Sequence, residues 1–215
     1  GLCIEAHKGY IESLRRNRPK SIVVHAAVSE KDQENTTFYA NSRGSLSTLD
    51  PTMEEEFKST YGEYFTGFEA QTVPMRTLES IFNEHGVKDV DILSLDIEGF
   101  EVEALKGLNL EHFKPLVMVI ESDSSSHERQ LDSLISPFGY KKAARVSRNI
   151  FYCHPRIESG VIENKRFSVE VCHTAHPLDN TENRYVKRQI DTRLRLPVSQ
   201  KIRSGIISIA KRLGF

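Results

Sequence analysis

The chain contains 215 residues with 29 lysines and arginines, 30 aspartates and glutamates, and a net charge of −1 at pH 7. This length suits one domain with an appended segment, and the balanced charge gives no basis for expecting a nucleic-acid partner. The three cysteines are scattered, without a C-x-x-C spacing. That pattern indicates buried thiols rather than disulfides and favours a reducing, cytoplasmic compartment.

Short apolar runs that alternate with helix-forming stretches predict an α/β fold. Such alternation places buried strands in a mostly parallel sheet with helices on both faces, which is a three-layer sandwich. The expected strands lie at residues 2–4, 22–28, 36–39, 72–75, 90–95 and 116–120, with an antiparallel pair at 140–144 and 149–153, and the expected helices lie at 8–17, 78–85, 101–107 and 128–135.

The segment between the third and fourth predicted strands allows more than one interpretation. Residues 41–51 are rich in Ser, Gly and Asp and predict a loop. That loop is either a surface turn or a segment that closes over a ligand through Ser45, Ser47 and Thr48. Residues 54–65 carry several aromatic side chains and predict either a helix or a mobile lid.

The most informative stretch is an apolar run that leads to Asp96 and continues with Glu98 and Glu101 around a glycine. The run is short and rich in Leu and Ile, as expected of a strand buried on both faces. Carboxylates at the carboxyl end of such a strand stand where α/β sheets bind their ligands. An alternative role for Glu98 is to cap the following helix, and Glu101 is expected to be structural.

A second strand of the same kind ends at Glu121, so this residue is expected on the same sheet edge as Asp96. Asp123 and His127 follow closely, and a group of acidic and histidine side chains can bind a divalent ion. The spacing of these residues does not support a metal site, and we predict none. His127 is expected to be an exposed residue at a helix start rather than a general base.

Beyond residue 155 the composition changes, and residues 156–215 predict a C-terminal extension outside an α/β domain of residues 1–155. Residues 199–215 predict a basic amphipathic helix. Packing on the domain or contact within an oligomer is its favoured role, and association with a membrane surface is the alternative. The apolar face of this helix would consist of Ile202, Ile206, Ile209 and Leu213.

Three segments of the chain together resemble the FkbM-type methyltransferases. They are the run L-S-L-D-I-E-G-F-E at 93–101, the opening segment at 1–19, and the run at 26–29 that leads to Phe38. They occur in the order typical of that family, and the resemblance covers residues 1–155. It implies a Rossmann-like fold, S-adenosylmethionine as cofactor, and methylation that is mostly directed at oxygen atoms.

The resemblance implies roles for polar residues at strand ends. Glu5 would bind the two ribose hydroxyls of the cofactor, because a carboxylate can accept from both, and Ser29 would lie near the adenine. Asp96 would bind the cofactor or serve the reaction, and Glu98 and Glu121 would orient or deprotonate the acceptor. The sequence leaves open which of these carboxylates is the base.

The chain departs from the family pattern at its start, where the family has a strand and a glycine-rich loop of the V-G-A-x-x-G kind before the segment at 2–5. We therefore expect an N-terminally incomplete methyltransferase domain that acts on a hydroxyl of a small molecule, sugar or glycan. The alternative is a catalytically inert interaction module that keeps the fold. A dehydrogenase is disfavoured by the run D-I-E-G-F-E. Oligomeric state is not predicted.

Overall fold

The computed structural model describes residues 1–157, and in these residues strands and helices alternate as predicted, which confirms the α/β class. Of the predicted extension at 156–215, residues 158–215, including the predicted helix at 199–215, lie outside the described residues. The strands are β1 (Leu2–Glu5), β2 (Ile22–His25), β3 (Ala27–Val28), β4 (Gln33–Asn41), β5 (Phe68–Arg76), β6 (Ile92–Leu95), β7 (Val117–Glu121), β8 (Lys141–Val146) and β9 (Asn149–Cys153). The α-helices are α1 (Ile11–Asn17), α2 (Met53–Tyr61), α3 (Leu78–Glu84), α4 (Glu101–Lys106), α5 (Leu110–Phe113) and α6 (Ser125–Ile135).

The strands pair into three groups with the orders β1-β2, β3-β5-β4 and β6-β7-β9-β8. Across residues 1–157, three pairings are parallel and three are antiparallel, so the sheets are mixed rather than mostly parallel. The antiparallel pairings are those of β4 with β5, β7 with β9, and β8 with β9. β8 and β9 are joined by a two-residue turn, as the predicted antiparallel pair requires, and β4 returns as β5 after the segment 42–67.

The run predicted as one strand at 22–28 is two strands, because its pairing partner changes at Ala26. The Ala26 amide donates to the carbonyl of Glu5 at 3.1 Å, where β1 ends. The next two residues form β3 and pair with β5 instead. β4 is also longer than the predicted strand at 36–39, because its antiparallel ladder with β5 continues to Asn41.

The main core lies where α3, α4 and α6 pack on the strands β6, β7 and β9. Leu2 and Ile4 of β1 pack against the same core, so β1 and β6 share it although they are not paired. Burial of these side chains is the main stabilising contribution to the fold. The largest side chains that are fully buried in this core are Phe113, Leu78, Ile81, Leu105, Leu110, Met118, Ile120, Leu131, Ile135 and Ile150.

Residues 42–67, which connect β4 to β5, form a small unit with its own core, and we call this unit the cap. The helix interpretation of residues 54–65 is correct, since they form α2 followed by a single 3₁₀ turn at Gly62–Tyr64. Leu46, Phe57 and Phe65 are buried inside the cap. Among residues 1–157, no helix is long and apolar enough to cross a membrane.

Candidate active site

The ends of β6 and β7 bring three carboxyl groups together. The two strands are parallel and Leu95 is opposite Ile120, so the following residues, Asp96 and Glu121, stand side by side. The predicted placement of Glu121 on the edge that carries Asp96 is therefore confirmed. We call Asp96, Glu98 and Glu121 the carboxylate cluster, because each of the two glutamates interacts electrostatically with Asp96.

Glu98 lies in a turn whose backbone is unusual for a residue with a side chain. Its φ angle is +53°, and that of Gly99 is +102°. Left-handed backbone at a non-glycine residue is uncommon and concentrates at functional sites. Burial raises the pKa of Glu98 to about 7, and the charge of Asp96 contributes to the rise. Glu98 does not cap α4, because the helix has Phe100 at its N-cap position without a side-chain hydrogen bond.

Glu121 is the most buried member of the carboxylate cluster, at 9% exposure. Burial raises its pKa to about 8, with a further contribution from the negative charge of Asp96 and a hydrogen bond between the two carboxyl groups. Burial and the neighbouring Asp96 charge therefore both favour the protonated form of the Glu121 carboxyl. Two carboxyl groups this close cannot both ionise easily, which is the general cause of such a rise.

Arg148 supplies a positive charge beside the cluster, and sequence reasoning missed it. Its Nε lies 3.1 Å from Glu121 Oε1, and it also bonds to Asp123. These contacts raise the pKa of Arg148 above its usual range, and the hydrogen bond to Asp123 contributes most. Local sequence carried no signal for this contact, because it depends on the antiparallel pairing of β7 with β9, in which Asn149 is opposite Glu121 and Arg148 immediately precedes Asn149.

The cap contacts the carboxylate cluster directly. The Thr48 hydroxyl donates to the carbonyl oxygen of Glu98 at 3.2 Å, and the backbone amide of Leu46 interacts with the Glu98 carboxylate. Thr48 is only 1% exposed, so this part of the loop is not a surface turn. Ser47 is buried too, whereas the Ser45 hydroxyl lies on the outer side of the loop.

Glu5 stands at the carboxyl end of β1, as predicted, but in a different group of strands from the carboxylate cluster. Its Oε1 accepts from the His7 amide at 2.6 Å. The His7 ring in turn contacts the carbonyl of Asn41 at 3.3 Å, immediately before the cap begins. The cap therefore begins beside the turn after Glu5, and its Thr48 reaches the backbone of Glu98.

Ser29 is not brought to the carboxylate cluster by the contacts of the described residues. Its amide donates to the carbonyl of Arg76 at 3.0 Å. Its own carbonyl lies so close to Gly107 that a Cβ there would be 2.3 Å from the oxygen. Gly107 is the C-cap of α4, so Ser29 lies beside the C-terminal end of that helix, whereas Glu101 is at its N-terminal end.

His127 is not the exposed residue that the sequence predicts. Its side chain is 18% exposed, and its Nε2 lies 3.6 Å from Glu101 Oε2. Glu101 is 1% exposed, which agrees with its expected structural character. Among residues 1–157, no group of three or more His, Cys, Asp and Glu side chains has the geometry of a metal site.

The fold and the carboxylate cluster define an α/β protein with polar side chains gathered at the carboxyl ends of parallel strands, which is the usual ligand site of this class. The profile of the methyltransferase FkbM domain matches residues 2–142, more than half of the chain. The chain therefore belongs to the FkbM methyltransferase family, and the resemblance seen in its motifs is confirmed. This membership gives no support to the alternative of an inert interaction module.

A curated relative is methyltransferase sdnD of Sordaria araneosa. It is 29% identical to the chain over 93 residues, which span 39% of this chain and 36% of that protein. The chain thus covers little more than a third of the length of this relative. No solved structure matches the chain.

Proposed function

We propose that the chain catalyses S-adenosylmethionine-dependent methylation of a hydroxyl group on a small molecule, a sugar or a glycan. The observation that carries the proposal is the carboxylate cluster, in which Asp96, Glu98 and Glu121 meet at the ends of parallel strands. Family membership supplies the methyl-transfer chemistry. The cluster supplies the groups that this chemistry needs when the acceptor is a hydroxyl, because its proton must be removed.

The charge of the cluster fits the proposed cofactor, which supplies an electrophilic methyl group on a positively charged sulfur and also carries an ammonium group. We assign the ammonium group to Asp96, the exposed member of the cluster. The ribose hydroxyls are assigned to Glu5, because the His7 amide uses one of its two oxygens and the other can accept from a ligand. Ser29 stays the predicted neighbour of the adenine.

We assign Glu98 as the general base. Its pKa near 7 leaves a large share of the residue deprotonated at neutral pH and still basic enough to take a hydroxyl proton. With the cofactor bound as methyl donor, the Glu98 carboxylate would take the proton that the acceptor hydroxyl loses. Glu121, which interacts with Asp96 through a side-chain hydrogen bond, orients the acceptor.

The proposed fold is a Rossmann-like three-layer sandwich that contains one strand more than β1–β9. In residues 1–157, β1 pairs with β2 alone and β6 pairs with β7 alone, so each keeps one unpaired edge. Both strands pack on the same core. A parallel strand between these edges, followed by a glycine-rich loop, would join the two groups of strands and bring backbone amides to the cofactor.

A methyl-transfer assay tests the proposal. The full-length protein is incubated with S-adenosylmethionine labelled at the methyl group and with a panel of small alcohols, sugars and glycans. We expect label in an O-methyl ether, and a rate lower by about 100-fold in Glu98→Gln. The matched control is Glu103→Gln, which changes a partly exposed glutamate of α4 that pairs with Lys106. Transfer to nitrogen or carbon, or a Glu98→Gln variant as fast as the control, would contradict the proposal.

A further inference from the structure

We propose that Glu101 is a positioning residue, whose carboxylate fixes the turn that presents Glu98 while His127 holds that carboxylate from α6. This inference rests on the proposed function, in which Glu98 is the base. Glu101 lies behind the carboxylate cluster, 1% exposed, and acts through the turn rather than on a ligand.

One oxygen of Glu101 binds the backbone of the turn on both sides of Glu98. Oε1 accepts from the Ile97 amide at 2.8 Å and from the Gly99 amide at 3.4 Å. The turn contains two successive left-handed residues, the first of which carries a side chain. A non-glycine residue in this region costs about 1 to 2 kcal/mol, so contacts from outside the turn must hold it there.

The other oxygen of Glu101 faces His127. Glu101 Oε2 and His127 Nε2 are buried atoms that have no hydrogen-bond partner within residues 1–157, and they lie 3.6 Å apart. The backbone amide of His127 donates to the hydroxyl oxygen of Ser124, the N-cap residue of α6, at 3.1 Å. His127 therefore lies in the first turn of α6, and its Nε2 is next to the Glu101 carboxylate.

These contacts explain why a carboxylate occupies a position that the core would fill more easily with an apolar side chain. Burying a carboxylate is costly unless donors surround it, and a side chain such as Met would avoid that cost. Such a side chain would also leave the amides of Ile97 and Gly99 without an acceptor. The Glu101 carboxylate therefore stabilises the conformation of residues 97–99, and this conformation places Glu98 beside Asp96.

Amide hydrogen exchange measured by NMR tests the inference without any cofactor. In the wild type the Ile97 and Gly99 amides should be protected. We expect exchange at Ile97 to be faster by about tenfold in Glu101→Met, which removes the acceptor, and also in Glu101→Asp, which shortens the side chain. Glu101→Gln keeps an acceptor oxygen and should stay within about threefold of the wild type. The matched control is Glu103→Asp on the same helix.

The titration of Glu98 supplies a readout that a merely structural role would not move. The pKa of Glu98 is near 7 in the wild type. It should fall toward 4.5 in Glu101→Met and Glu101→Asp, because these two variants release Glu98 from its buried position. In Glu101→Gln it should stay near 7. Unprotected Ile97 and Gly99 amides in the wild type would overturn the inference, whether or not a variant folds. Exchange and titration unchanged in the folded Met or Asp variant would also overturn it. Failure of the methyl-transfer assay leaves these readouts intact, so the two proposals fail separately.

Discussion

The Thr48 hydroxyl donates to the backbone carbonyl of Glu98 at 3.2 Å, although the two residues are 50 positions apart in the chain. This bond joins the cap to the turn that follows β6, and it is completed by the contact of the Leu46 amide with the Glu98 carboxylate. The cap is thereby a wall of the candidate site rather than an independent loop. This bond and the contact of the cap with Tyr10 give two of the predictions that follow.

The first prediction concerns the bond between the cap and the turn. Thr48→Val keeps the shape of a buried side chain and removes its hydroxyl, which leaves the Glu98 carbonyl without this donor. We expect a loss of about 1 to 2 kcal/mol in the free energy of unfolding, measured by urea denaturation. The control is Thr37→Val, at an exposed position of β4, which should change stability by less than about 0.5 kcal/mol. Equal effects of the two substitutions would show that the bond does not form in solution.

The second prediction concerns another contact of the cap, where Gly44 lies against the ring of Tyr10. Gly44 has φ +86°, and a Cβ there would be 1.8 Å from the Tyr10 hydroxyl oxygen. Gly67 is a matched control, because its φ is +90° and a Cβ there would meet nothing within 4 Å. Gly67→Ala should cost about 1 kcal/mol through backbone strain alone. Gly44→Ala should cost at least about 1 kcal/mol more, because the ring must move as well.

A double mutant separates these two causes. With Tyr10→Ala present, the further cost of Gly44→Ala should fall to that of Gly67→Ala, because the clashing ring is gone. The coupling energy between the two positions is then about 1 kcal/mol or more by urea denaturation. Additive effects of the two substitutions would mean that the ring does not lie on Gly44 in solution.

The third prediction concerns stability against pH. The pKa of Glu121 is about 8 in the folded protein, above the ordinary value of 4.5, so between these values the folded state binds more protons than the unfolded state. The free energy of unfolding should therefore fall as the pH rises from 5 to 8, and Glu98 contributes in the same direction. Glu121→Gln, which is neutral at every pH, should reduce this fall by roughly 1 kcal/mol or more.

Urea denaturation at pH 5, 6.5 and 8 measures this effect. Glu111→Gln on α5 is the control, because it changes an exposed glutamate away from the cluster. A Glu121→Gln variant with the same pH dependence as the wild type would show that Glu121 is not held protonated in the fold.

The fourth prediction concerns Arg148, whose charge lowers the pKa of both Glu98 and Glu121. Arg148→Met should raise both values further, that of Glu121 by about one unit, because its Nε lies 3.1 Å from Glu121 Oε1. Carbon NMR of the side-chain carboxyl groups follows each titration. Arg129→Met, at an exposed position of α6, should leave both unchanged. A fall in either pKa on loss of Arg148 would contradict the assigned electrostatics.

The parts of the fold that the sequence predicted are those that depend on local pattern. The apolar run before Asp96 and the one before Glu121 identified β6 and β7, and their parallel pairing then placed both carboxyl groups at one edge. The same pattern could not predict that the run at 22–28 changes partner at Ala26, because the change depends on where β5 lies. α5 was missed because four residues are too few to show helical periodicity.

The candidate site shows the same division between local and distant determinants. Asp96 and Glu98 belong to one continuous motif and were recognised from it. Arg148 lies 25 residues from Asp123, and Thr48 lies 50 residues from Glu98, so neither contact leaves a trace in local sequence. The roles assigned to Glu5 and Ser29 stay predictions, because their positions are described and their ligands are not.

The most direct test of the central claim, that these strand ends bind S-adenosylmethionine, is calorimetric titration with S-adenosylhomocysteine. We would titrate the 215-residue chain and a form extended upstream by about 40 residues, which is enough for a further strand and glycine loop. The extended form should bind, and Glu5→Gln and Asp96→Asn should each weaken binding by about tenfold, while Asp91→Asn at the opposite end of β6 should not. If neither form binds, or if Glu5→Gln and Asp96→Asn bind as tightly as the wild type, the proposed cofactor site is contradicted.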